Sequence, residues 1–347
     1  MPGRPGFRIG DVTVASGQAR TVDLPVSTLS DHTPVTMSVH VIHGRRPGPV
    51  MFVSAAVHGD EVIGVEIVRR LLKMPGLKRL SGTLLAVPIV NTYGFLNHSR
   101  YLPDRRDLNR SFPGSPRGSL AGRLAHMFMT EIVGRSDAGI DLHSAAIHRI
   151  NLPQVRVSPG NARLLQMAES FGAPVIMTSK LRDGSMRMAA QEAGVDVLLY
   201  EAGEGLRFDE LAARAGVSGI LRVMHSLGMI GARGVSKPRA KPMRSTRSSW
   251  MRAPAGGLLR GFRSIGDMVD QDEVLGLVSD PFGETETPVT AEVAGVIVGR
   301  ANLPVVNEGD ALFHIAQVVD TAVTGTTVEA LTDQLDADPM FDEDEII

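Results

Sequence analysis

Residues 55–64, AAVHGDEVIG, place a histidine and a glutamate three positions apart, just where an apolar run ends. The preceding residues, SVHVIHGRRPGPVMFVSAAV, are typical of β-strands, and EVIGVEIVRRLLKM has the spacing of an amphipathic helix. A histidine at a strand end and a glutamate in the next helical turn can reach one metal ion from the same side. Gly59 is expected to relieve the tight turn between them. The stretch therefore predicts a strand-to-helix junction that carries two metal ligands, His58 and Glu61.

The same alternation extends outward from this junction, from about residue 34 to residue 230. Strand-like runs such as GTLLAVPIV, AGIDLH and VDVLLYEAG alternate with helix-like segments such as GSLAGRLAHMFMTEIVG. Alternation of this kind is typical of α/β proteins. We therefore expect residues 1–232 to form one α/β domain with an N-terminal β segment, and this domain to be the catalytic one.

The remainder of the chain has a different composition. No acidic residue lies between Met229 and Gly266, where arginine, lysine and proline are frequent, so residues 233–252 are interpreted as a solvated basic linker rather than an anion-binding patch. Short β runs separated by Gly-Asp and Asn-Glu-Gly turns then predict a small all-β domain at 253–318. The last 28 residues, from Asp320, carry nine acids and no base, so residues 319–347 are interpreted as an acidic tail.

Composition limits the function further. The chain has 347 residues, of which 43% are hydrophobic, and a formal net charge of −2, so it can fill a sizeable core and has no basic excess for nucleic acid. No apolar run approaches the roughly 18 residues of a membrane span, and no signal peptide is seen, so we expect no membrane partner and a cytoplasmic location. With no cysteine, any metal must be bound by His, Asp or Glu.

A third metal ligand is expected at the end of another strand. AGIDLHSA places His143 there, and Asp141, two residues earlier on the same strand face, could orient its imidazole. His40 and His43 are also three apart, but an alternating strand points them in opposite directions, so they are interpreted as structural. His58, Glu61 and His143 are therefore the predicted metal ligands.

Residues 91–114, NTYGFLNHSRYLPDRRDLNRSFPG, are too rich in Asn, Gly, Arg, Asp and Pro for a helix or a central strand. We expect a long ordered loop, and loops of this length are usually functional. Arg110 beside Asn109 offers fixed donors for a carboxylate, and Arg100 could face a developing oxyanion. The alternative is that these arginines only pair with Asp104 and Asp107.

The order HGDE, N-x-x-G, R…DLNRSFPG, DLHS and YEAGE resembles the succinylglutamate desuccinylase/aspartoacylase family over roughly residues 35–232. The resemblance implies a zinc carboxypeptidase-like fold, a mixed sheet flanked by helices. It implies one zinc ion per chain, held by His58, Glu61 and His143.

The resemblance also implies roles in substrate binding and catalysis. Asn109 and Arg110 correspond to the pair that binds the substrate carboxylate, and Arg100 to the arginine that polarises the scissile carbonyl, with Arg106 as the alternative because the spacing to DLNR differs. The general base is expected at the end of a late strand, which indicates Glu201, with Glu204 as its rival.

Three further residues are implied by narrower similarities. Arg187 in DGSMRMAA resembles an arginine that helps to fix the substrate in aspartoacylase. HRINLPQVRV resembles the branch of N-acyl-diaminobutyrate deacetylases, in which His148, Arg149 and Asn151 would line the pocket.

The function implied is that of a zinc-dependent amidohydrolase, which removes the acyl group from a small N-acyl amino acid. A carboxypeptidase-type metallopeptidase would share these residues. A non-catalytic binding protein that works through its β domain is the alternative from another class, although such a protein has no need of both the metal ligands and Glu201. The oligomeric state is left open, a homo-oligomer included.

Residues 253–318 resemble a lipoyl- or biotinyl-like barrel-sandwich. Such domains carry their cofactor on a lysine at a hairpin tip, and this stretch contains no lysine. We therefore expect a structural role, in which the domain packs beside the zinc cleft or builds a subunit interface.

Overall fold

The structure of the chain is a computed structural model that describes residues 4–238, 240–318 and Asp333. Up to Ser226, strands alternate with helices, as the sequence predicts. The strands are β1 (Phe7–Ile9), β2 (Val12–Val14), β3 (Gln18–Thr28), β4 (Pro34–His43), β5 (Arg46–Ala55), β6 (Ser81–Val87), β7 (Ala138–His143), β8 (Arg149–Val157), β9 (Val175–Thr178) and β10 (Asp196–Gly203). The helices are α1 (Ile63–Leu71), α2 (Thr92–Leu96), α3 (Leu120–Glu131), α4 (Ala162–Phe171), α5 (Met186–Glu192) and α6 (Glu210–Ser226), with 3-10 turns at Pro75–Arg79, Leu108–Arg110 and Val133–Arg135.

A large mixed sheet forms the centre of this part of the chain. Its strands lie in the order β3, β4, β6, β5, β7, β10, β8, and β9 pairs with the far side of β8. The four strands β6, β5, β7 and β10 are parallel, whereas β3, β4 and β8 pair antiparallel with their neighbours along this order. The carboxyl ends of the parallel strands therefore meet at one edge of the sheet.

Helices cover both faces of the sheet. On β5, Met51 and Val53 pack into the core beneath α1, α4 and α6, while Phe52 packs into the core beneath α3 and α5. Successive residues of a strand point to opposite faces, so a strand covered on both sides must be apolar throughout. This explains why VMFVSA shows no polar alternation.

The C-terminal β region, residues 243–318, contains nine strands: β11 (Met243–Ser245), β12 (Arg247–Arg252), β13 (Gly257–Gly261), β14 (Met268–Val269), β15 (Val274–Ser279), β16 (Glu286–Thr290), β17 (Gly295–Ala301), β18 (Val305–Val306) and β19 (Ala311–Gln317). Part of this region continues the large sheet, because β17 pairs antiparallel with β8, and β19, β12 and β14 join the sheet through β17. The strands β13, β15, β16 and β18 form a separate four-stranded sheet. The predicted fold class, an α/β part with a mixed sheet plus a small C-terminal all-β part, is confirmed.

The range predicted as a basic linker, 233–252, contains two of these strands. β11 pairs with β9, and β12 pairs with β19 along its whole length. Arginine is tolerated in β12 because β12 lies at the end of the sheet. The division of the chain into domains stays a prediction, and the acidic tail, apart from Asp333, lies outside the described residues. Within the described ranges, no helix combines the length and apolar character that crossing a membrane requires.

Candidate active site

His58, Glu61 and His143 come together at the carboxyl ends of two neighbouring parallel strands. β5 and β7 pair with Ala55 opposite Leu142, so the chain leaves both strands at the same level. All three side chains are buried, and one possible ligand atom from each lies within 4.8 Å of the others. Glu61 Oε1 is 2.6 Å from His58 Nδ1, and Glu61 Oε2 is 2.7 Å from His143 Nδ1. The structure therefore brings the three predicted ligands into one cluster.

The turn between His58 and Glu61 packs directly against α2. A Cβ atom on Gly59 would lie 1.9 Å from the carbonyl carbon of Gly94. Gly59 has no left-handed φ angle, so close approach, and not the tight turn predicted from the sequence, requires glycine here. The side chain of Asn91 accepts the Gly94 N–H at 2.9 Å and caps α2. The H-x-x-E and N-x-x-G motifs are therefore in contact.

Two carboxylates outside the cluster orient the imidazoles. His143 Nε2 lies 2.6 Å from Asp141 Oδ2, which is the contact that the sequence predicts. His58 Nε2 lies 3.2 Å from Asp107 Oδ1, and this partner is absent from the sequence-based predictions. Each contact directs the Nδ1 atom of its imidazole toward Glu61. Carboxylates of this kind fix the ring orientation of histidine ligands in metal sites.

The charge of the cluster suits a divalent cation. Burial alone would raise the pKa of Glu61, but His58 and His143 lower it far below its usual range. Burial opposes protonation of His143, yet Asp141 and Glu61 raise its pKa well above the usual value. Three carboxylates thus stabilise positive charge at two imidazoles, and one divalent ion would supply as much charge as two protons. Two imidazoles and one carboxylate are also a ligand set of catalytic zinc sites, so the residues present fit zinc.

Segment 91–114 brings Arg100 beside the cluster. Arg100 Nη1 lies 3.3 Å from Glu61 Oε1, and Arg100 Nη2 lies 3.0 Å from Asp107 Oδ2. The side chain of Arg106, in contrast, is 62% exposed and lies 3.8 Å from Asp104. The prediction of a segment without a helix is wrong at Thr92–Leu96, because Asn91 caps a short helix there.

Asn109 and Arg110 line the same pocket from a 3-10 turn. Asn109 Oδ1 accepts the backbone N–H of Met186 at 2.9 Å, which ties this turn to the start of α5. The next residue, Arg187, also lines the pocket, and burial followed by repulsion from Arg156 lowers its pKa to about 10.

Glu201 and Glu204 point to different surroundings. Glu201 lies opposite His143 in the β10–β7 pairing and lines the pocket. Its Oε2 accepts from Asn151 Nδ2 at 2.8 Å, and its Oε1 lies 3.6 Å from Arg156 Nη2. Glu204 instead accepts from the backbone N–H of His148 at 3.0 Å and from Asn302 Nδ2 at 2.8 Å, which joins it to the C-terminal β region.

A bulge in β8 places Asn151 and Arg156 on the same side. From Glu201 to Gly203, β10 advances two residues, while β8 advances three, from Gln154 to Asn151. In a regular strand, residues five apart face opposite ways, and one extra residue reverses that relation. Both side chains therefore line the pocket beside Glu201.

The pocket has a volume of about 470 Å³ and opens beside the histidine cluster. Its wall includes three residues of the C-terminal β region that the sequence-based predictions omit, Ser248, Trp250 and His314. Trp250 lies opposite His314 in the β12–β19 pairing and stacks on it, with ring centroids 4.7 Å apart. Burial and the charge of Arg156 lower the pKa of His314 to about 4, so this imidazole is neutral near pH 7. The predicted site residues that line the pocket are His58, Glu61, Arg100, Asn109, Arg110, His143, Arg149, Asn151, Arg187 and Glu201.

The mixed sheet, its two layers of helices and the His-Glu-His cluster at its carboxyl edge define the class, an α/β protein with a candidate metal site at the ends of its parallel strands. Within that class, residues 47–227 match the succinylglutamate desuccinylase/aspartoacylase catalytic domain. The chain belongs to this family of deacylating hydrolases.

Similar proteins extend the match into the C-terminal β region. The N-alpha-acetyl-L-2,4-diaminobutyric acid deacetylase of Halomonas elongata is 28% identical over 315 residues, which are 86% of this chain and 91% of that protein. A crystal structure of succinylglutamatedesuccinylase/aspartoacylase from Rhodobacter sphaeroides has a TM-score of 0.77 at 25% identity, covering 87% of this chain and 95% of that chain. The product-bound ectoine utilization protein EutE from Ruegeria pomeroyi has the same fold, with a TM-score of 0.77 at 21% identity, covering 91% of this chain and 99% of that chain.

Proposed function

We propose that the protein is a zinc-dependent amidohydrolase that removes the acyl group from a small N-acyl amino acid. The observation that carries this proposal is the convergence of three buried ligand atoms, Glu201 and several arginines on one pocket. His58, Glu61 and His143 would hold the ion, one per chain. When bound, zinc would polarise the amide carbonyl and make a water molecule more acidic.

The side chains around the cluster have distinct tasks in this reaction. Glu201 takes a proton from the attacking water and delivers it to the leaving amine, while Asn151 donates a hydrogen bond to one of its oxygens and Arg156 lies at ion-pair distance from the other. Arg100, beside Glu61, is placed to stabilise negative charge on the carbonyl oxygen. Asn109 and Arg110 bind the α-carboxylate of the substrate. The products are a carboxylic acid and an amine.

The pocket wall favours small substrates over polypeptides, which a carboxypeptidase-type enzyme would need to admit. Ser248, Trp250 and His314 close one side of a cavity of about 470 Å³. A cavity of this size matches a single small ligand.

The charge of the pocket favours a substrate with more than one carboxylate. Two carboxylates line it, Glu61 and Glu201, and both already have tasks in the reaction. Arg156 Nε and Arg187 Nη1 are buried and lack a hydrogen-bond partner within the described part of the chain. A second carboxylate would relieve their repulsion, whereas the ammonium group of a diaminobutyrate derivative would add to it. The pocket contains seven cationic side chains, Arg100, Arg110, Arg149, Arg156, Lys180, Arg182 and Arg187.

This charge balance gives a testable order of substrates. We expect kcat/KM for N-acetylglutamate to exceed that for N-acetylglutamine, its isostere with an uncharged side chain, and for Nα-acetyl-2,4-diaminobutyrate by at least ~10-fold, a difference of about 1.4 kcal/mol. The preference should shrink as salt is added, because salt screens interactions in a pocket open to solvent. A zinc-loaded enzyme that prefers the diaminobutyrate derivative would contradict the charge argument but support deacylation. If it hydrolyses none of these compounds, nor their succinyl and formyl analogues, the proposed function is wrong.

A second prediction concerns Arg110. Arg110→Lys should lower kcat/KM by about 10-fold, because a planar guanidinium that binds a carboxylate through two hydrogen bonds becomes a point charge. The loss should disappear for an N-acyl amino acid amide, which lacks the α-carboxylate. Arg106→Lys, in the same segment but exposed, is the matched control and should leave both substrates unaffected. Equal loss on both substrates with Arg110→Lys would mean that Arg110 only supports the turn.

A further inference from the structure

Asn151 lies between Glu201 and the C-terminal β region. Its side chain is buried, and its Nδ2 donates to Glu201 Oε2 at 2.8 Å. The other oxygen, Glu201 Oε1, lies 3.6 Å from Arg156 Nη2, which is an ion-pair distance but too long for a hydrogen bond. The hydrogen bond from Asn151 is therefore the contact that fixes the direction of the Glu201 carboxylate from this side of the pocket.

The opposite side of Asn151 is covered by β17. In the β17–β8 pairing, Gly299 lies directly opposite Asn151. A Cβ atom on Gly299 would lie 2.8 Å from Asn151 Oδ1, closer than real Cβ contacts allow. The φ angle of Gly299 lies outside the left-handed region, so the backbone does not demand glycine at this position. Glycine is needed because the amide of Asn151 occupies the space that a side chain at position 299 would fill.

The path of β17 is shaped around this contact. From Ile297 to Gly299, β17 advances two residues, while β19 moves one residue, from Ile315 to His314, so β17 carries one extra residue at Val298. The Val298 carbonyl accepts from the side chain of Gln154 at 3.2 Å, which fixes the bulge against β8. Bulges of this kind redirect side chains at functional sites.

We propose that Asn151 is a positioning residue for Glu201, and that Gly299 of the C-terminal β region acts through it. Because Gly299 has no side chain, the Asn151 amide can pack against the backbone of β17, and its Nδ2 then points at Glu201. This inference rests on the proposed function, in which Glu201 is the general base. It gives the C-terminal β region a direct part in aligning the base, in addition to its part in the pocket wall.

The test is a double-mutant cycle on the zinc-loaded, full-length enzyme. Asn151→Ala and Gly299→Ala should each lower kcat by about 10-fold, the size expected for losing one hydrogen bond to a charged group, while KM changes little. The double variant should be no slower than Asn151→Ala, because the added methyl group then occupies the space that the amide has left. Gly261→Ala is the matched control in the same region, since its Cβ would make only ordinary contacts of 3.4 Å or more, and it should keep wild-type kcat.

Losses that add in the double variant would overturn the claim that Gly299 acts through Asn151. A raised KM with unchanged kcat for Asn151→Ala would overturn the positioning role and return Asn151 to substrate binding. A crystal structure of Gly299→Ala gives a readout without activity: the Asn151 amide should have moved away from Glu201, and an undisturbed amide would refute the proposal. If the wild-type enzyme hydrolyses no N-acyl amino acid, the proposed function fails, while the crystal structure still decides the contact.

Discussion

Replacing Glu201 with glutamine is expected to lower kcat by at least ~10², while the protein keeps its metal. Proton transfer by a positioned acid–base group typically contributes a factor of 10² to 10⁴. Glutamine preserves the shape of the side chain, and its oxygen can still accept the hydrogen bond from Asn151. It cannot take a proton from water near pH 7. The variant therefore separates proton transfer from packing.

Glu204→Gln is the matched control for this experiment. Glu204 lies directly after β10, but it accepts hydrogen bonds from the backbone N–H of His148 and from Asn302. We expect its replacement to lower thermal stability slightly and to leave kcat within about twofold of wild type. If Glu204→Gln loses hydrolysis while Glu201→Gln keeps it, the assignment of the base is reversed. Zinc content of both variants, measured by elemental analysis, excludes loss of metal as the cause.

The two histidines of the His58, Glu61 and His143 cluster could be predicted from the sequence because each one lies at or just after the end of an apolar run that forms a parallel strand. Strands buried on both faces appear in the sequence as continuous apolar runs, and the carboxyl ends of parallel strands lie at the same edge of the sheet. His58 lies three residues after the end of β5, and His143 is the last residue of β7. The sequence also predicts that Arg100, Asn109 and Arg110 lie in one site, because all three belong to the single polar segment 91–114, and all three line the pocket.

The parts that could not be predicted depend on contacts between distant segments. Arg156 is absent from the sequence-based predictions. In a regular strand it would point away from Asn151, and only the pairing with β10 reveals the extra residue in β8. Ser248 and Trp250 fall in the range predicted as a linker, because four of the six residues of β12 are arginine or serine and give no strand signal until β19 pairs with them. The sequence alone does not show why position 59 requires glycine, because the residue that it approaches, Gly94, lies 35 positions further along the chain.

The three predicted ligands should hold about one zinc ion per chain, and His143→Ala should abolish that binding. The variant removes one of three protein ligands and leaves Glu61 and Asp141 buried without the imidazole that separates them. We expect zinc affinity to fall by more than ~10²-fold and hydrolysis to disappear with it. Asp141→Asn, which removes only the outer partner of His143, should show an intermediate loss of about 10- to 100-fold in affinity.

His40→Ala serves as the control for this series, because His40 lies on β4 and contacts Thr21 at 2.9 Å, away from the cluster. Its zinc content should equal that of the wild type, and unchanged zinc in His143→Ala would remove His143 from the site.

Competition between protons and zinc for the imidazole nitrogens supplies an independent check. Protons and metal compete for the imidazole nitrogens, and the neighbouring carboxylates raise the pKa values of His58 and His143 in the metal-free protein. Zinc affinity should therefore begin to fall, as the pH is lowered, above the ordinary titration range of histidine near 6.5. In Asp141→Asn, the fall should begin at a lower pH, because the carboxylate that favours protonated His143 is gone.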